Sequence, residues 1–346
     1  MSQPELYDVT IIGGGPAGLY SAFYCGMRDM KTKIIEHNDR LGGKVLLYQE
    51  KMIWDIGGMT PLNGEQLVEN LIQQANTFDP TFVFKQRIQY MERLENGHIR
   101  LTAETGEVHE SKTVIIAAGS GVLVQRKLEI EGAEKYEVSN LHYTVTSLEQ
   151  FKGKRVLISG GGDSAVDWAN EIAPIAESVT IVHRRDMFGG LERHVRHMKE
   201  VAEVLTPYAL TTLHSTDGSM INSVTISNVD TEEEETLFVD EVIVNHGVHG
   251  DHGLLREWGL DMTQYQIYCN KFMETELPGV FCAGDTALHE GKLRLIAGAF
   301  VEAGLAANAA KTFIDPEATK AAYVSSHNER FKEKNKELQQ QQRVGV

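Results

Sequence analysis

The stretch Tyr7-Asp8-Val9-Thr10-Ile11-Ile12-Gly13-Gly14-Gly15-Pro16-Ala17-Gly18 decides how the chain begins to fold. Its apolar first half predicts a buried parallel strand, and the run Gly13–Gly18 has the G-x-G-x-x-G spacing of a nucleotide-binding turn. The proline suits the first turn of a helix, which we expect to run to about Met27, before a second strand at Lys33–Glu36. A tight turn without a ligand is the simpler interpretation, but the complete strand–helix–strand unit favours a nucleotide site.

Each residue of this turn has a use in holding a dinucleotide. The pyrophosphate would lie at the helix N-terminus, where free backbone N–H groups and the helix dipole favour anions. Gly15 lets the backbone approach the phosphates beside Pro16 and Ala17, and Gly18 lets the helix pack closely against the strand. Glu36 is placed to accept hydrogen bonds from the adenosine ribose, although an exposed strand end would also explain it.

A second copy of the pattern lies in the middle of the chain. Strand Arg155–Ser159 leads into Gly160-Gly161-Gly162-Asp163-Ser164-Ala165, and a helix to about Pro174 and the strand Ser178–Val182 follow. Alanine is allowed in place of the third glycine, because the helix–strand contact needs only a small side chain. Asp163 and Ser164 are predicted to lie at the phosphates, with simple helix capping as the alternative.

The second strands of the two units end in opposite charge. The first ends in Glu36, whereas the second ends in His183-Arg184-Arg185. A carboxylate suits the hydroxyls of an unmodified ribose and two guanidiniums suit a 2′-phosphate, so we predict FAD at the first site and NADP at the second. A solvated strand end is the alternative for Arg184 and Arg185. Two redox nucleotides in one chain imply a hydride relay between them.

A late motif completes the first site. Gly279-Val280-Phe281-Cys282-Ala283-Gly284-Asp285 predicts a strand that ends in a small-residue turn, and Asp285 is placed to bind the flavin ribityl chain, with a plain turn residue as the alternative. The expected fold class is α/β, with two Rossmann-like three-layer domains. The FAD domain is discontinuous, residues 1–119 and 247–346, and the NADP domain, residues 120–246, is inserted within it.

Composition argues against several other classes of protein. The chain has 346 residues, enough for two domains, and a formal net charge of −16, which disfavours binding to nucleic acid or anionic membranes. It has no segment that could span a bilayer, and its first residues lack the pattern of a secretory signal. Cys25, Cys269 and Cys282 are scattered, include no Cys-x-x-Cys and fit the reduced thiols of a cytoplasmic protein. We predict no metal site.

Apolar periodicity predicts further elements. Gly64–Thr77 and Leu295–Phe313 are expected to be helices, and Glu107–Glu110 and Lys112–Gly119 are expected to be separate strands. The acidic run Glu232–Glu235 is predicted to be a solvated hairpin tip.

Together the motifs resemble the thioredoxin-reductase-like ferredoxin (flavodoxin)–NADP reductases of bacteria, within the two-dinucleotide-binding flavoprotein superfamily. The resemblance covers nearly the whole chain and rests on the late motif and on the runs Gly13–Gly18, Gly160–Trp168, Val182–Asp186, Leu41–Gly43 and Asn140–Tyr143. It implies a homodimer with one FAD per subunit. Low-mass thioredoxin reductases share the domain plan but carry a Cys-x-x-Cys in the NADP domain, which this chain lacks.

The resemblance also implies roles for individual residues at the flavin. Tyr48 is expected to stack on one face of the isoalloxazine, and Ile88 to contact adenine through its backbone. In the family, a Tyr or His ring from the partner subunit covers the other face, and this chain has Val324 at that position. The remaining FAD contacts implied are Gly43, Lys44, Leu123 and Ser326.

The activity implied is electron transfer between NADPH and ferredoxin or flavodoxin. Hydride passes from NADPH to N5 of the flavin and single electrons then pass to the carrier, so no catalytic side chain is required. Two alternatives stay open: a reductase of a thioredoxin-like protein, and a flavin-bound redox sensor without enzymatic activity. Basic residues near the C-terminus could dock the carrier or form a solubilising helix: Lys320, Arg330, Lys332, Lys334 and Lys336.

Overall fold

The chain folds into two compact units in the computed structural model, which describes residues 4–321, 324–329, 331–332 and 334–336. The first unit contains the described residues up to Val122 and from Gly250 onwards. The second runs without interruption from Leu123 to His249. Within the described ranges, no helix is long and apolar enough to cross a bilayer.

The helices and strands alternate along much of the chain. The α-helices are α1 (Pro16–Met27), α2 (Gly64–Ala75), α3 (Asp163–Ile172), α4 (Glu192–Val201) and α5 (Ile296–Ile314). The strands before α3 are β1 (Leu6–Ile12), β2 (Thr32–Ile35), β3 (Met52–Ile53), β4 (Leu62–Asn63), β5 (Thr81–Val83), β6 (Ile88–Arg93), β7 (Ile99–Ala103), β8 (Val108–Ile116), β9 (Val122–Gln125), β10 (Leu141–His142) and β11 (Arg155–Ser159). The strands after α3 are β12 (Ser178–Val182), β13 (Glu203–Leu205), β14 (Tyr208–His214), β15 (Ser223–Asn228), β16 (Glu234–Phe238), β17 (Glu241–Val244), β18 (Val248–Asp251), β19 (Ile267–Tyr268), β20 (Val280–Cys282) and β21 (Ala287–Leu288).

The first unit is built on a seven-stranded sheet. Its parallel part has the order β5-β2-β1-β8-β20, and β7 and β6 continue the sheet as antiparallel strands beside the first half of β8. Ile116 at the end of β8 pairs with Ile12 of β1 on one side and Cys282 of β20 on the other. The early glycine turn and the late Gly284–Asp285 turn therefore leave the same edge of the sheet, the edge where such folds bind ligands.

The two strands predicted for Glu107–Glu110 and Lys112–Gly119 are wrong, because the structure has the single strand β8 there. The polar residues between them indicated a break, but the sheet satisfies them. Ser111 Oγ donates to Thr113 O at 2.7 Å, and Thr113 Oγ1 donates to Asp8 O at 2.8 Å. Buried hydroxyls with such partners carry little penalty, so the strand continues.

The predicted helices of the first unit are confirmed, with α1 packed against both α2 and α5. α2 begins with a capping box: Asn63 Oδ1 accepts from Gln66 N–H at 2.9 Å, and Gln66 Oε1 accepts from Asn63 N–H at 3.2 Å. α5 buries mainly alanines, which allow its backbone to lie close to its neighbours.

The second unit has a five-stranded parallel sheet and a separate three-stranded antiparallel sheet. The parallel order is β10-β17-β11-β12-β13, and the antiparallel order is β14-β15-β16. Helix α4 was not expected from the sequence because most of its residues are polar or charged, although its few apolar residues, Val195, Met198 and Val201, recur at helical spacing. The acidic run lies at the exposed start of β16, as predicted. These sheets and helices confirm the α/β fold class, whereas the division into an FAD and an NADP domain stays a prediction.

A buried polar chain crosses the sheet of the first unit. Lys33 Nζ lies 3.3 Å from His109 Nδ1, His109 Nε2 lies 2.7 Å from Gln86 Oε1, and the Gln86 amide donates to Glu107. Because Gln86 Oε1 can only accept, this arrangement needs a neutral His109 that accepts from Lys33. Burial, followed by the charge of Lys33, lowers the pKa of His109.

We therefore expect His109 to reduce stability in acid. Its folded pKa is lowered, so the unfolded chain takes up this proton first and the free energy of unfolding falls as pH drops below about 6.5. His109→Gln should remove that part of the pH dependence. Thermal unfolding from pH 5 to pH 8, compared with the control His98→Gln, measures it. If the melting temperatures of the wild type and of His109→Gln fall in parallel as the pH drops, His109 is not the source of this pH dependence.

Candidate functional site

The first glycine turn joins β1 to α1 through contacts that only glycine allows. Gly13 has φ +106°, and a β-carbon there would lie 2.4 Å from Ala117 O. A β-carbon on Gly18 would lie 1.9 Å from Gly13 O, so strand and helix meet at backbone distance. α1 begins at Pro16, and its N-cap residue Gly15 has no side chain to offer its amides. An uncapped helix N-terminus at a sheet edge suits an anion such as a pyrophosphate.

Two other segments are anchored on this turn. Gly42 N–H donates to Gly14 O at 2.9 Å, and a β-carbon on Gly43 would lie 2.9 Å from Gly15 Cα. From the late motif, a β-carbon on Gly284 would lie 2.9 Å from the β-carbon of Ala17. The close backbone approaches hold the loop after β2 and the turn after β20 beside the N-terminus of α1.

Glu36 follows β2 and is only 3% exposed. Its Oε2 accepts from Gly14 N–H at 2.7 Å, and its Oε1 accepts from Asn38 N–H at 2.9 Å with His37 Nδ1 at 2.8 Å. Burial alone would raise the pKa of Glu36, but these three partners outweigh it and the pKa lies below its ordinary value. The carboxylate is thus ionised, and Oε2 keeps a lone pair for a ribose hydroxyl.

Three residues predicted to face the flavin converge at the same edge. Lys44 Nζ lies 3.9 Å from Asp285 Oδ2. Burial, followed by the charges of Asp285 and Asp55, raises the pKa of Tyr48 to about 12. Tyr48 therefore keeps its proton at neutral pH and presents an uncharged ring near Asp285.

The other predicted FAD residues are more dispersed. Ile88 is the first residue of β6 and is buried, and Leu123 lies in β9. Val324, 49% exposed, and Ser326 lie in a short segment after α5. Asn328 Nδ2 donates to Met27 O at 3.1 Å and ties this segment to the end of α1. A role for Val324 and Ser326 at the flavin stays a prediction.

The second glycine turn repeats the first geometry in the second unit. Gly160 has φ +152°, and a β-carbon there would lie 2.5 Å from Asn245 O. Ala165 is fully buried, in keeping with the small side chain that this position needs. Gly162 is the N-cap of α3 and is exposed, as are Asp163 and Ser164, and neither of these side chains caps the helix.

Gly162→Ala should separate nucleotide binding from folding. Gly162 has φ −85°, and a β-carbon there meets nothing within 4 Å, so the substitution should leave the melting temperature of the free protein unchanged. The added methyl would occupy the space through which the backbone approaches a pyrophosphate, and we expect the Kd for NADPH to rise about tenfold or more. Titration of protein fluorescence with NADPH measures it. Unchanged NADPH affinity in a folded variant would place the pyrophosphate elsewhere.

The predicted ribose-phosphate residues follow β12. Arg184 and Arg185 are exposed, and the His183 ring packs against Phe188 at a centroid distance of 5.3 Å. Burial, then the charges of Arg185 and Arg184, lower the pKa of His183. The two guanidiniums therefore stand beside a neutral imidazole at the position where a 2′-phosphate would lie.

Two features of these sites were missed from the sequence. Gly189 N–H donates to Gly161 O at 2.7 Å, so a second glycine pair, Gly189–Gly190, packs over the second glycine turn. In the first unit, buried Glu302 accepts from Gly284 N–H at 2.8 Å. The sequence did contain a signal for each feature. The first was the pair of adjacent glycines after a strand, and the second was the one acidic residue in the alanine-rich α5.

The three cysteines all lie in the first unit as free thiols. Cys25 is buried, and burial raises its pKa above the usual range. Cys269 Sγ donates to Leu288 O at 3.7 Å and Cys282 Sγ to Ile267 O at 4.0 Å, and the interaction between the two thiols lowers the pKa of Cys269 and raises that of Cys282.

The residues present fit the two nucleotides. The first unit offers a glycine cradle that a β-carbon would fill, the ionised Glu36 at the ribose position, and Asp285 with Lys44 nearby. The second offers the open Gly162 and the exposed Arg184–Arg185 pair. FAD in the first and NADP in the second match these donor sets.

Comparison with known proteins shows which family the chain belongs to. The profile of the pyridine nucleotide-disulphide oxidoreductase family matches residues 7–309. A ferredoxin–NADP reductase 1 of Bacillus pumilus is 60% identical over 339 residues, 97% of this chain and 98% of the relative, and that of Shouchella clausii is 52% identical over 345 residues, 99% of each. A crystal structure of Lactococcus lactis thioredoxin reductase matches with a TM-score of 0.74 at 27% identity, covering 89% of this chain and 99% of that one. The resemblance inferred from the motifs is confirmed, and the chain belongs to the pyridine nucleotide-disulphide oxidoreductase family.

Proposed function

We propose that this chain is an FAD-dependent oxidoreductase that moves electrons between NADPH and ferredoxin or flavodoxin. The observation that carries the proposal is the presence of two glycine-led cradles in one chain, one with ionised Glu36 and the other with Arg184 and Arg185. The full-length relatives named ferredoxin–NADP reductases support it and favour it over the two alternatives.

The chain's own residues bind and orient the two nucleotides. Bound FAD supplies the chemistry that connects a two-electron donor to one-electron carriers. Glu36 would accept hydrogen bonds from the adenosine ribose, the α1 amides would face the pyrophosphate, and Asp285 would accept from the ribityl hydroxyls. Tyr48, whose pKa is raised to about 12, is protonated at neutral pH as tyrosines ordinarily are, and could stack as a neutral ring.

The second unit selects the donor. The free end of α3 accepts the pyrophosphate, and the guanidiniums of Arg184 and Arg185 pair with the 2′-phosphate that distinguishes NADPH from NADH. No cysteine lies between residues 123 and 249, so this unit has no dithiol that could reduce a thioredoxin. We therefore assign this unit the binding of NADPH, and the electrons pass from the protein to an external carrier.

Rapid mixing tests the activity. NADPH should bleach the flavin absorbance of the purified protein, and ferredoxin or flavodoxin should then restore it within the turnover time. Thioredoxin should not restore it. Recovery with thioredoxin alone would support the thiol-protein alternative, and a flavin that NADPH does not bleach would support the sensor.

We also propose that the protein acts as a homodimer and that Val324 of one subunit covers the flavin of the other. Sedimentation at micromolar concentration tests the first point. Of the basic docking candidates, Lys320, Lys332, Lys334 and Lys336 lie in the described residues and are exposed or partly exposed, while Arg330 lies outside them. Ferredoxin titrations of lysine-to-glutamate variants would show whether these residues bind the carrier.

A further inference from the structure

A buried ionic cluster lies directly behind the Gly284–Asp285 turn. It consists of Glu302 from the middle of α5 and of His289 and Lys292 from the loop between β21 and α5. Lys292 Nζ lies 2.6 Å from Glu302 Oε2, and His289 Nε2 lies 3.0 Å from Glu302 Oε1. The side chains of Glu302 and Lys292 are only 5% and 7% exposed. Glu302 and Lys292 are therefore shielded from water, and the other buried residues of α5 are alanines.

Two side chains of the cluster form hydrogen bonds with the backbone of Gly284, one to its N–H and one to its carbonyl oxygen. Glu302 Oε2 accepts from Gly284 N–H at 2.8 Å, and Lys292 Nζ donates to Gly284 O at 2.7 Å. Gly284 has φ +76°, a conformation that favours glycine, and its Cα faces the β-carbon of Ala17 in the first turn of α1. With both polar groups of Gly284 held, the backbone that carries Asp285 has little freedom to rotate.

His289 adds a second positive charge to the cluster. Its Nε2 faces Glu302 Oε1, and its Nδ1 lies 2.8 Å from Glu290 O. Both partners are acceptors, so both ring nitrogens must donate and the ring is an imidazolium. Burial alone would lower the pKa of His289, but the bonds to Glu302 and to the backbone of Glu290 raise it on balance.

Such a cluster is a poor way to gain stability. Removing two charges from water costs about as much as their attraction returns, and apolar residues of similar volume often stabilise a core as well or better. A buried ionic cluster therefore calls for another role. Here the distinctive feature is that two of its bonds end on the backbone beside Asp285.

We infer that Glu302, supported by Lys292 and His289, is a positioning residue that holds the Gly284–Asp285 turn in the geometry that binds FAD. The inference deepens the proposed function and rests on its flavin site. Glu302 fixes the amide of Gly284, Gly284 fixes the direction of Asp285, and Asp285 is the carboxylate placed for the ribityl hydroxyls. Loss of the cluster should therefore loosen FAD even where the fold is retained.

The test compares flavin affinity with protein stability in the full chain. FAD is titrated into flavin-stripped protein, with quenching of flavin fluorescence as the readout, and the melting temperature is measured without FAD. Glu302→Gln should raise the Kd for FAD about tenfold or more and also lower the melting temperature, because it leaves Lys292 buried without a countercharge. The double variant Glu302→Gln with Lys292→Met also removes the lysine charge that the single variant leaves buried, and His289 can lose its own proton once the countercharge is gone. The double variant should recover the melting temperature but keep the weakened FAD affinity, since Gly284 O has lost its donor.

Matched variants complete the design. Lys33→Met removes another buried lysine of the same unit, 6% exposed and remote in sequence from the turn; it leaves His109 Nδ1 without its donor and should leave the Kd for FAD unchanged. His289→Gln removes one charge at the more exposed side of the cluster and should weaken FAD binding while the protein folds. The inference is overturned if FAD affinity recovers together with stability in the double variant, or if His289→Gln and Glu302→Gln bind FAD as the wild type does. A wild-type protein that binds no FAD would instead overturn the proposed function.

Discussion

Charge reversal at both Arg184 and Arg185 is expected to raise the KM for NADPH by about 10²- to 10⁴-fold, with little change in the KM for NADH. A hydrogen bond to a charged group contributes about 1.5–3 kcal/mol, so two arginines at a 2′-phosphate contribute about 3–6 kcal/mol. Each 1.4 kcal/mol corresponds to about a factor of ten. NADH lacks the phosphate, so it loses only the weaker long-range attraction. Steady-state reduction of ferredoxin with each nucleotide measures the two KM values.

A matched control is available at the opposite edge of the same sheet. Lys152 and Lys154 precede β11 and are exposed, whereas the arginines follow β12. Lys152→Glu with Lys154→Glu makes the same change in net charge and should leave both KM values near those of the wild type. If the arginine variant raises the KM for NADPH and the KM for NADH by the same factor, the arginines do not bind the 2′-phosphate.

Gly18→Ala is expected to destabilise the first unit by about 3 kcal/mol or more and to yield protein without bound FAD. The β-carbon would lie 1.9 Å from Gly13 O, and backbone on both sides of the contact leaves no flexible side chain to move. α1 would have to shift away from β1, which would distort the N-terminus that receives the pyrophosphate. Thermal unfolding and the ratio of flavin to protein absorbance measure the two effects.

Gly15→Ala, in the same turn, should weaken FAD binding without affecting folding. Gly15 has φ −78°, and a β-carbon there would lie 3.7 Å from Gly43 Cα, an ordinary contact. This variant should fold with a near wild-type melting temperature in the absence of FAD, yet bind FAD weakly. Gly304→Ala, an open position inside α5, is the control; it should leave FAD binding unchanged and raise the melting temperature slightly, because alanine favours a helix interior more than glycine does. Similar losses of stability in Gly15→Ala and Gly18→Ala would contradict this division.

Local sequence predicted the elements that fold within one βαβ unit. α1 was expected from Pro16 to Met27 and has those bounds, because the glycine turn, the proline at the first position and the βαβ context all favour the same helix. Where local signals conflicted, prediction failed. Thr113 of β8 finds its acceptor, Asp8 O, only when β1 lies alongside, and in α4 the few apolar residues stand among many polar ones.

The nucleotide sites divide in the same way. The glycine spacings and the residues that end β2 and β12 are local features, so Glu36 and the Arg184–Arg185 pair could be named in advance. The ionisation of Glu36 could not, because it depends on the donors that fold around it. The contact between Lys44 and Asp285 also needs two segments that are 241 positions apart to meet beside β1 and β8.

The sequence by itself determined which nucleotides this protein is built to hold, since a phosphate-binding turn and the charge at its ribose position are written within about thirty consecutive residues. Tertiary structure alone decided how the first site is held in shape. Glu302, Lys292 and Gly284 carry no shared motif, and only the packing of α5 against the strand edge brings them within hydrogen-bonding distance. Such bonds depend on distances across the folded core, which spacing along a chain does not encode.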